Sequence, residues 1–244
     1  MKKIVLSLAV AKTFILASFW IFAFSACQTQ SDANAQIVAP APTPVSARPE
    51  DKIDRPVSEA YTGELSIFEN EERAKNLQID RVMDILKIAP GKSVADIGAG
   101  SGWFSTRAAR RTGADGKVYA VEINQEYINY INERARKENL PNIQTILGTV
   151  SDPKLAENSI DAALILKTYH EIAEPITVLR NLKKAMRKDA LLGIIDRNGT
   201  GGDHGIDMNK VIEELKRAGF KKVADYDFVK PDGMDYLLIF KAAE

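Results

Sequence analysis

Three glycines at alternate positions, Gly98, Gly100 and Gly102, follow the run Val94-Ala95-Asp96-Ile97. Glycines at a strand-to-helix turn let the backbone come close to a ligand, and the helix start offers unpaired N–H groups. A turn needs only one glycine, so three in this spacing point to a bound ligand. The dinucleotide fingerprint G-x-G-x-x-G requires another glycine at position 103, where this chain has Trp103. Asp96 discriminates further: its carboxylate would repel a pyrophosphate but can pair with a cationic amino-acid group. Glu122 closes the run Val118-Tyr119-Ala120-Val121-Glu122, about 20 residues beyond the loop, where an acid can accept both hydroxyls of a ribose.

A second polar group follows the apolar run Ile160 to Leu166, in Lys167-Thr168-Tyr169-His170-Glu171. Polar residues leaving a buried strand at a ligand-binding edge are natural substrate contacts or proton acceptors. Histidine exchanges protons near neutral pH, so His170 is either a general base or the structural cap of the next helix. Glu171 is the second catalytic candidate, and Tyr169 a substrate contact. Asp196, after the run Leu191 to Ile195, either binds substrate or caps a loop. Gly199 to Gly202, with His204, reads as a mobile loop over the pocket. His170, His204 and Asp196 match no local ligand spacing, and no metal is expected. Glu72 and Arg73 read as a solvated helix face, with a lid over the ligand as the other reading.

The elements that must position these residues alternate along the chain. An apolar stripe of Leu77, Val82, Ile85 and Leu86 predicts a helix from about Glu69 to Ile88, stopped by Pro90-Gly91. Strands are predicted at Ser93 to Ile97, Val118 to Glu122, Ile143 to Leu147, Ile160 to Leu166 and Leu191 to Ile195. Helices are expected at Trp103 to Arg111, Gln125 to Glu138 and Ile176 to Arg187. That alternation implies a parallel sheet covered on both faces. Asp207 caps one more helix, with Ile206 and Val211 as its staple and Ala218-Gly219-Phe220 as its end. Val223 to Val229, the turn Lys230-Pro231-Asp232-Gly233 and Tyr236 to Phe240 then form an antiparallel hairpin. The fold class is α/β: a Rossmann-like, doubly wound, seven-stranded sheet, mostly parallel.

The 244 residues, 45% hydrophobic and 27% charged, suit one globular domain with extra segments. Lys+Arg and Asp+Glu are 33 each, so bulk charge gives no reason to expect nucleic acid as a partner. A small-molecule substrate is expected instead. The single cysteine, Cys27, excludes an internal disulfide and a cysteine-built zinc site. Residues 1–26 run from Lys2 and Lys3 through two apolar stretches to Ser25-Ala26-Cys27, the order of an export signal. The second stretch is short of the roughly 20 residues of a membrane span. Phe24-Ser25-Ala26-Cys27 resembles the bacterial lipoprotein box, with Phe24 where leucine is usual, which implies lipidation at Cys27. Ordinary cleavage near Ala33-Asn34-Ala35 and an uncleaved anchor are the alternatives. Each places the domain outside the cytoplasm, in the periplasm or envelope, and the lipid or anchor attaches it to the membrane. Residues 27–60, rich in proline and alanine, read as a disordered tether, leaving 61–244 as the domain.

From about Gly63 to Ala242 the chain resembles class I S-adenosylmethionine-dependent methyltransferases, whose sheet also ends in an antiparallel hairpin. Asp96, Gly98, Gly100 and Gly102 match the family's first motif, and Glu122 its ribose-binding acid. Phe68-Glu69-Asn70-Glu71-Glu72-Arg73 with Tyr169-His170-Glu171 looks like a branch of bacterial methyltransferases. The resemblance implies S-adenosylmethionine as the cofactor, with Ile123 and Lys167 beside it. The family commonly reads adenine with an aspartate near the end of the third strand. Here Gly148-Thr149-Val150-Ser151-Asp152 displaces that acid, so Thr149 or a backbone group takes the role. Export conflicts with the supply of a cytoplasmic metabolite. A non-catalytic nucleoside-binding module is therefore one alternative, and an NAD-dependent oxidoreductase, disfavoured by Trp103 and the hairpin, another.

Overall fold

The computed structural model describes residues 43–70, 72–230 and 232–243. The expected leader and Cys27 lie outside them, and among the described residues no helix is long and apolar enough to cross a membrane. Five parallel strands form first: β1 (Ser93–Ile97), β2 (Lys117–Glu122), β3 (Ile143–Leu147), β4 (Ile160–Leu166) and β5 (Met186–Arg197). β6 (Phe220–Tyr226) and β7 (Asp235–Ala242) complete one sheet in the order β3-β2-β1-β4-β5-β7-β6. β7 runs antiparallel to both neighbours. The predicted seven-stranded doubly wound sheet with its closing hairpin is the observed one.

The period-2 pattern of the strands sorts side chains between two cores. On β4, Ala162, Leu164 and Leu166 face one side, while Ala163 and Ile165 face the other. β7 divides the same way, Leu237 and Ile239 against Tyr236, Leu238 and Phe240. Helices α2 (Ile79–Ile85) and α3 (Trp103–Thr112) cover the first face. α5 (Pro175–Ala185) and α6 (Met208–Arg217) cover the second. Burying each face on a helix layer removes apolar area worth roughly 25 cal/mol per Å² from water. The remaining helices are α1 (Glu72–Asn76) and α4 (Gln125–Lys137). As predicted, Asp207 caps α6, accepting from the N–H groups of Asn209 and Lys210.

Four expectations need correction. β5 begins at Met186, which pairs with Ile160, so the chain is already extended where the helix was expected to reach Arg187 and well before the strand expected from Leu191. The single helix expected over 69–88 is broken at Gln78, whose φ is +45°. Leu77 and Ile79 are both buried, and residues two apart cannot share one helix face, so the break lets both reach the core. β6 begins at Phe220 rather than Val223, and Val229 is buried in the following loop. The tether expected over 27–60 is, from Thr43 on, bonded to the domain. Val45 exchanges hydrogen bonds with the Asn181 amide, Arg180 pairs with Asp51, and Arg55 forms an ion pair with Glu214 at 2.7 Å. Proline content suggested disorder, but the segment's polar groups find partners on α5 and α6.

Candidate functional site

A cavity of about 750 Å³ opens at the carboxyl ends of β1, β2 and β4, a volume within the roughly 300–1,000 Å³ of small-molecule sites. The loop after β1 is bonded to the end of β2, because Gly98 and Ala99 donate to the Val121 carbonyl. At Gly98, φ is +71° and an added Cβ would lie 2.3 Å from Thr168 Cγ2. Glycine therefore allows both the left-handed backbone and the approach of the β1 and β4 loops. Glu122 is held by three backbone donors: Gly100 to Oε2 at 3.0 Å, and Ile123 and Asn124 to Oε1 at 2.7 and 3.2 Å. Those bonds fix the carboxylate at the cavity wall before any ligand arrives. Ile123 stands beside it, 49% exposed at the rim.

Asp96 lies at the cavity floor, only 2% exposed, and accepts from Ser105 Oγ at 2.6 Å. Burial pushes its carboxyl up to about 6, although the Ser105 hydroxyl and the Arg73 charge oppose the rise. Arg73 lines the same cavity, its guanidinium 4.6 Å from the Trp103 ring centroid and 5.4 Å from that of Phe68. Burial lowers it to about 10. Of the two readings for Glu72 and Arg73, Glu72 is exposed and Arg73 belongs to the site. The segment carrying Arg73 is clamped in place: Glu69 takes Arg134 at 2.5 and 2.8 Å and Ser101 Oγ at 2.6 Å. Tyr127 Oη donates to the carbonyls of Tyr61 and Gly63. Phe68 and Glu69 were visible in the sequence only as part of the stretch 68–73, with no role attached, and Tyr61 and Tyr127 carried no signal.

At the end of β3, Thr149 lines the cavity. Its Oγ1 accepts from Asp152 N–H at 3.0 Å, closing a turn in which the Asp152 carboxylate binds the Lys154 N–H. Asp152 is thus spent on its own loop. Lys167, also at the cavity edge, has its ammonium bound to Asp235 at 2.5 Å, so its backbone, at φ +56°, rather than its charge serves the pocket.

The polar run after β4 divides its residues. Tyr169, expected to touch substrate, is fully buried and donates to Glu214 Oε2 at 2.8 Å, beneath Arg55. It belongs to the core because the 3-10 turn Tyr169–Glu171 directs successive side chains to different sides. His170 faces the cavity, 4% exposed. Asp196, expected either at substrate or at a loop, is fully buried and holds His170 instead, 2.9 and 3.0 Å from Nδ1 and 3.1 Å from the His170 backbone N–H. A carboxylate on Nδ1 places the proton there and leaves a lone pair on Nε2. Glu171 is half-buried at the same edge, its carboxyl raised chiefly by burial. The glycine loop 199–205, expected to be mobile, is tied down. Gly201 N–H donates to the Gly205 carbonyl at 2.7 Å, Ser58 Oγ to the Gly201 carbonyl, and His204 N–H to Ser58 Oγ.

The model of a protein family described as "Methyltransferase domain" matches residues 88–225. (S)-coclaurine N-methyltransferase of Thalictrum flavum is 26% identical over 134 residues, 53% of this chain and 37% of that protein. 2-Phytyl-1,4-naphtoquinone methyltransferase of Trichormus variabilis is 28% identical over 108 residues, 44% of this chain and 47% of that protein. The alignments thus span less than half the length of either relative. A crystal structure of a SAM-dependent methyltransferase from Aquifex aeolicus superposes with a TM-score of 0.66 at 23% identity, over 72% of this chain and 95% of that one.

Proposed function

Because the chain belongs to the methyltransferase-domain family, within the class I S-adenosylmethionine-dependent enzymes, we propose that it binds S-adenosylmethionine and transfers its methyl group to a small-molecule acceptor. The observation that carries this reading is the pairing of Asp96 and Arg73 in one cavity with Glu122. A buried carboxylate and a buried guanidinium suit the ammonium and carboxylate of an amino-acid tail, and Glu122 suits the two ribose hydroxyls. Two acids at this loop oppose a pyrophosphate. Thr149 and the backbone beside it face the base end.

S-Adenosylmethionine supplies a methyl group on a cationic sulfur, which leaves as a neutral thioether when an acceptor lone pair attacks in line. The chain's share of the work is positioning, worth roughly 7–11 kcal/mol where reactants are well aligned. Gly98 and Thr168 bring the β1 and β4 loops together; Glu69 and Arg134 hold the lid segment over the pocket. His170 presents Nε2 at the acceptor side, able to take a proton or a metal ion. The exposed Ile67 and Val150 at the rim favour an acceptor with an apolar body. We also place this chemistry outside the cytoplasm, tethered through Cys27, on the residue order of the leader alone; a Cys27→Ser chain that still partitions into membranes would remove the lipid tether.

Calorimetric titration of the full chain with S-adenosylmethionine and with NAD tests the assignment. Saturable 1:1 binding of the former alone, lost in Asp96→Ala, is expected. Binding of NAD without S-adenosylmethionine would overturn it.

A further inference from the structure

We propose that His170, Glu171 and His204 form a binding site for a first-row divalent cation at the acceptor side of the cavity. Their ligand atoms lie within 4.8 Å of one another, and His170 Nε2 is 3.8 Å from Glu171 Oε1, beyond hydrogen-bond range. Nitrogen and oxygen ligands of such ions sit at ~2.0–2.2 Å from the metal, so a modest contraction closes the set. The residues come from two separate connections, after β4 and after β5, and converge across the sheet's carboxyl edge.

His170 is supported as a metal-bound imidazole needs to be. Asp196 on Nδ1 fixes the tautomer and the ring plane, and leaves Nε2 as a lone-pair donor. His204 stands opposite, the two rings perpendicular with centroids 5.9 Å apart. Its φ of +55° is unusual for a residue with a side chain, and the Ser58 hydroxyl secures its N–H at 3.1 Å. Charge agrees: among the described residues neither Glu171 nor Asp196 pairs with a lysine or arginine. Two imidazoles and one carboxylate suit zinc, iron, manganese or cobalt and leave positions open for an acceptor oxygen or nitrogen. Spacing in the chain hid this set, because α5 and β5 lie between its two parts. The site shares the cavity with the methyl donor but does not rest on that assignment.

The test is a titration of the full chain, stripped with chelator, with Co²⁺ alone, followed by visible absorption. We expect one Co²⁺ per chain with bands lost in H204A, whose exposed side chain is dispensable for folding. Glu171→Gln is expected to weaken binding, and Asp196→Asn to weaken it roughly 10- to 100-fold. Absence of the bands, or bands that persist in H204A, would overturn the site. Titrating the same sample with S-adenosylmethionine separates the two readings: donor binding without Co²⁺ binding overturns the cation site alone, and Co²⁺ binding without donor binding leaves it standing.

Discussion

Asp96 sits where an acid is useful to a cationic ligand and costly to the empty protein. Its folded value of about 6 lies above the ordinary 3.8, so its contribution to stability is full below about pH 3.8 and is lost as the pH rises through about 6. That difference corresponds to about 3 kcal/mol. Asp96→Asn, which keeps an oxygen for Ser105, is therefore expected to raise the stability of the ligand-free chain at pH 7 by roughly 1–3 kcal/mol in denaturant titrations, while weakening donor binding. In the native chain, affinity for S-adenosylmethionine should rise from pH 5 to 7 as Asp96 ionises, with proton release on binding near pH 6 measurable by calorimetry in buffers of different ionisation enthalpy. A flat profile would remove Asp96 from the ligand's ammonium group. Glu122→Gln sets an amide against three backbone donors; a loss of about 1.5–3 kcal/mol, or at least tenfold in donor affinity, is expected by the same titration. These residues were legible in the sequence because a glycine loop and a strand-end acid are local signals. The split between Tyr169 and His170 was not, because neighbours in a 3-10 turn differ only in what packs beneath them.

The lid was one of two readings the sequence offered for Glu72 and Arg73, but what holds it was hidden. Residues 65–76 carry few apolar positions, and their attachment depends on Arg134 of α4, which meets Glu69 from 65 positions along the chain. No period or motif reveals such a pairing. Glu69→Ala should loosen the lid without touching the core: donor affinity is expected to fall about three- to tenfold, with amide exchange accelerated over residues 61–77 and the melting temperature nearly unchanged. Unaltered exchange there would mean that the Tyr127 bonds alone hold the segment. Strands β1 to β4, by contrast, were readable almost to their ends, since they are short, largely apolar and bounded by helix or turn chemistry, whereas the polar start of β5 at Arg187, Lys188 and Asp189 and the Lys221-Lys222 start of β6 hid where those two strands begin.

At the scale of the whole molecule, the segment from Thr43 to Ser58 makes the domain larger than its family-matched portion. The side chains of Arg55 and Glu214 are each only 4% exposed, and removing one member of a buried pair costs about 3–5 kcal/mol. Arg55→Ala should therefore lower the melting temperature by about 10 °C while leaving donor affinity within a factor of two; an unchanged melting curve would show that Glu214 is adequately served by Tyr169. Composition argued for a tether here because prolines and small residues carry no core of their own, and only the partners on α5 and α6 reveal the packing. The sheet order carries one more consequence. The chain spells β6 before β7, yet β7 occupies the place between β5 and β6. During synthesis β6 has no berth until β7 has left the ribosome, and the two must dock together as a hairpin. A nascent chain halted before Asp235 would already hold the strands that bear the pocket, with the flank of β5 open to pair with any passing strand, so the last step of assembly is also the one that shields the molecule from its neighbours.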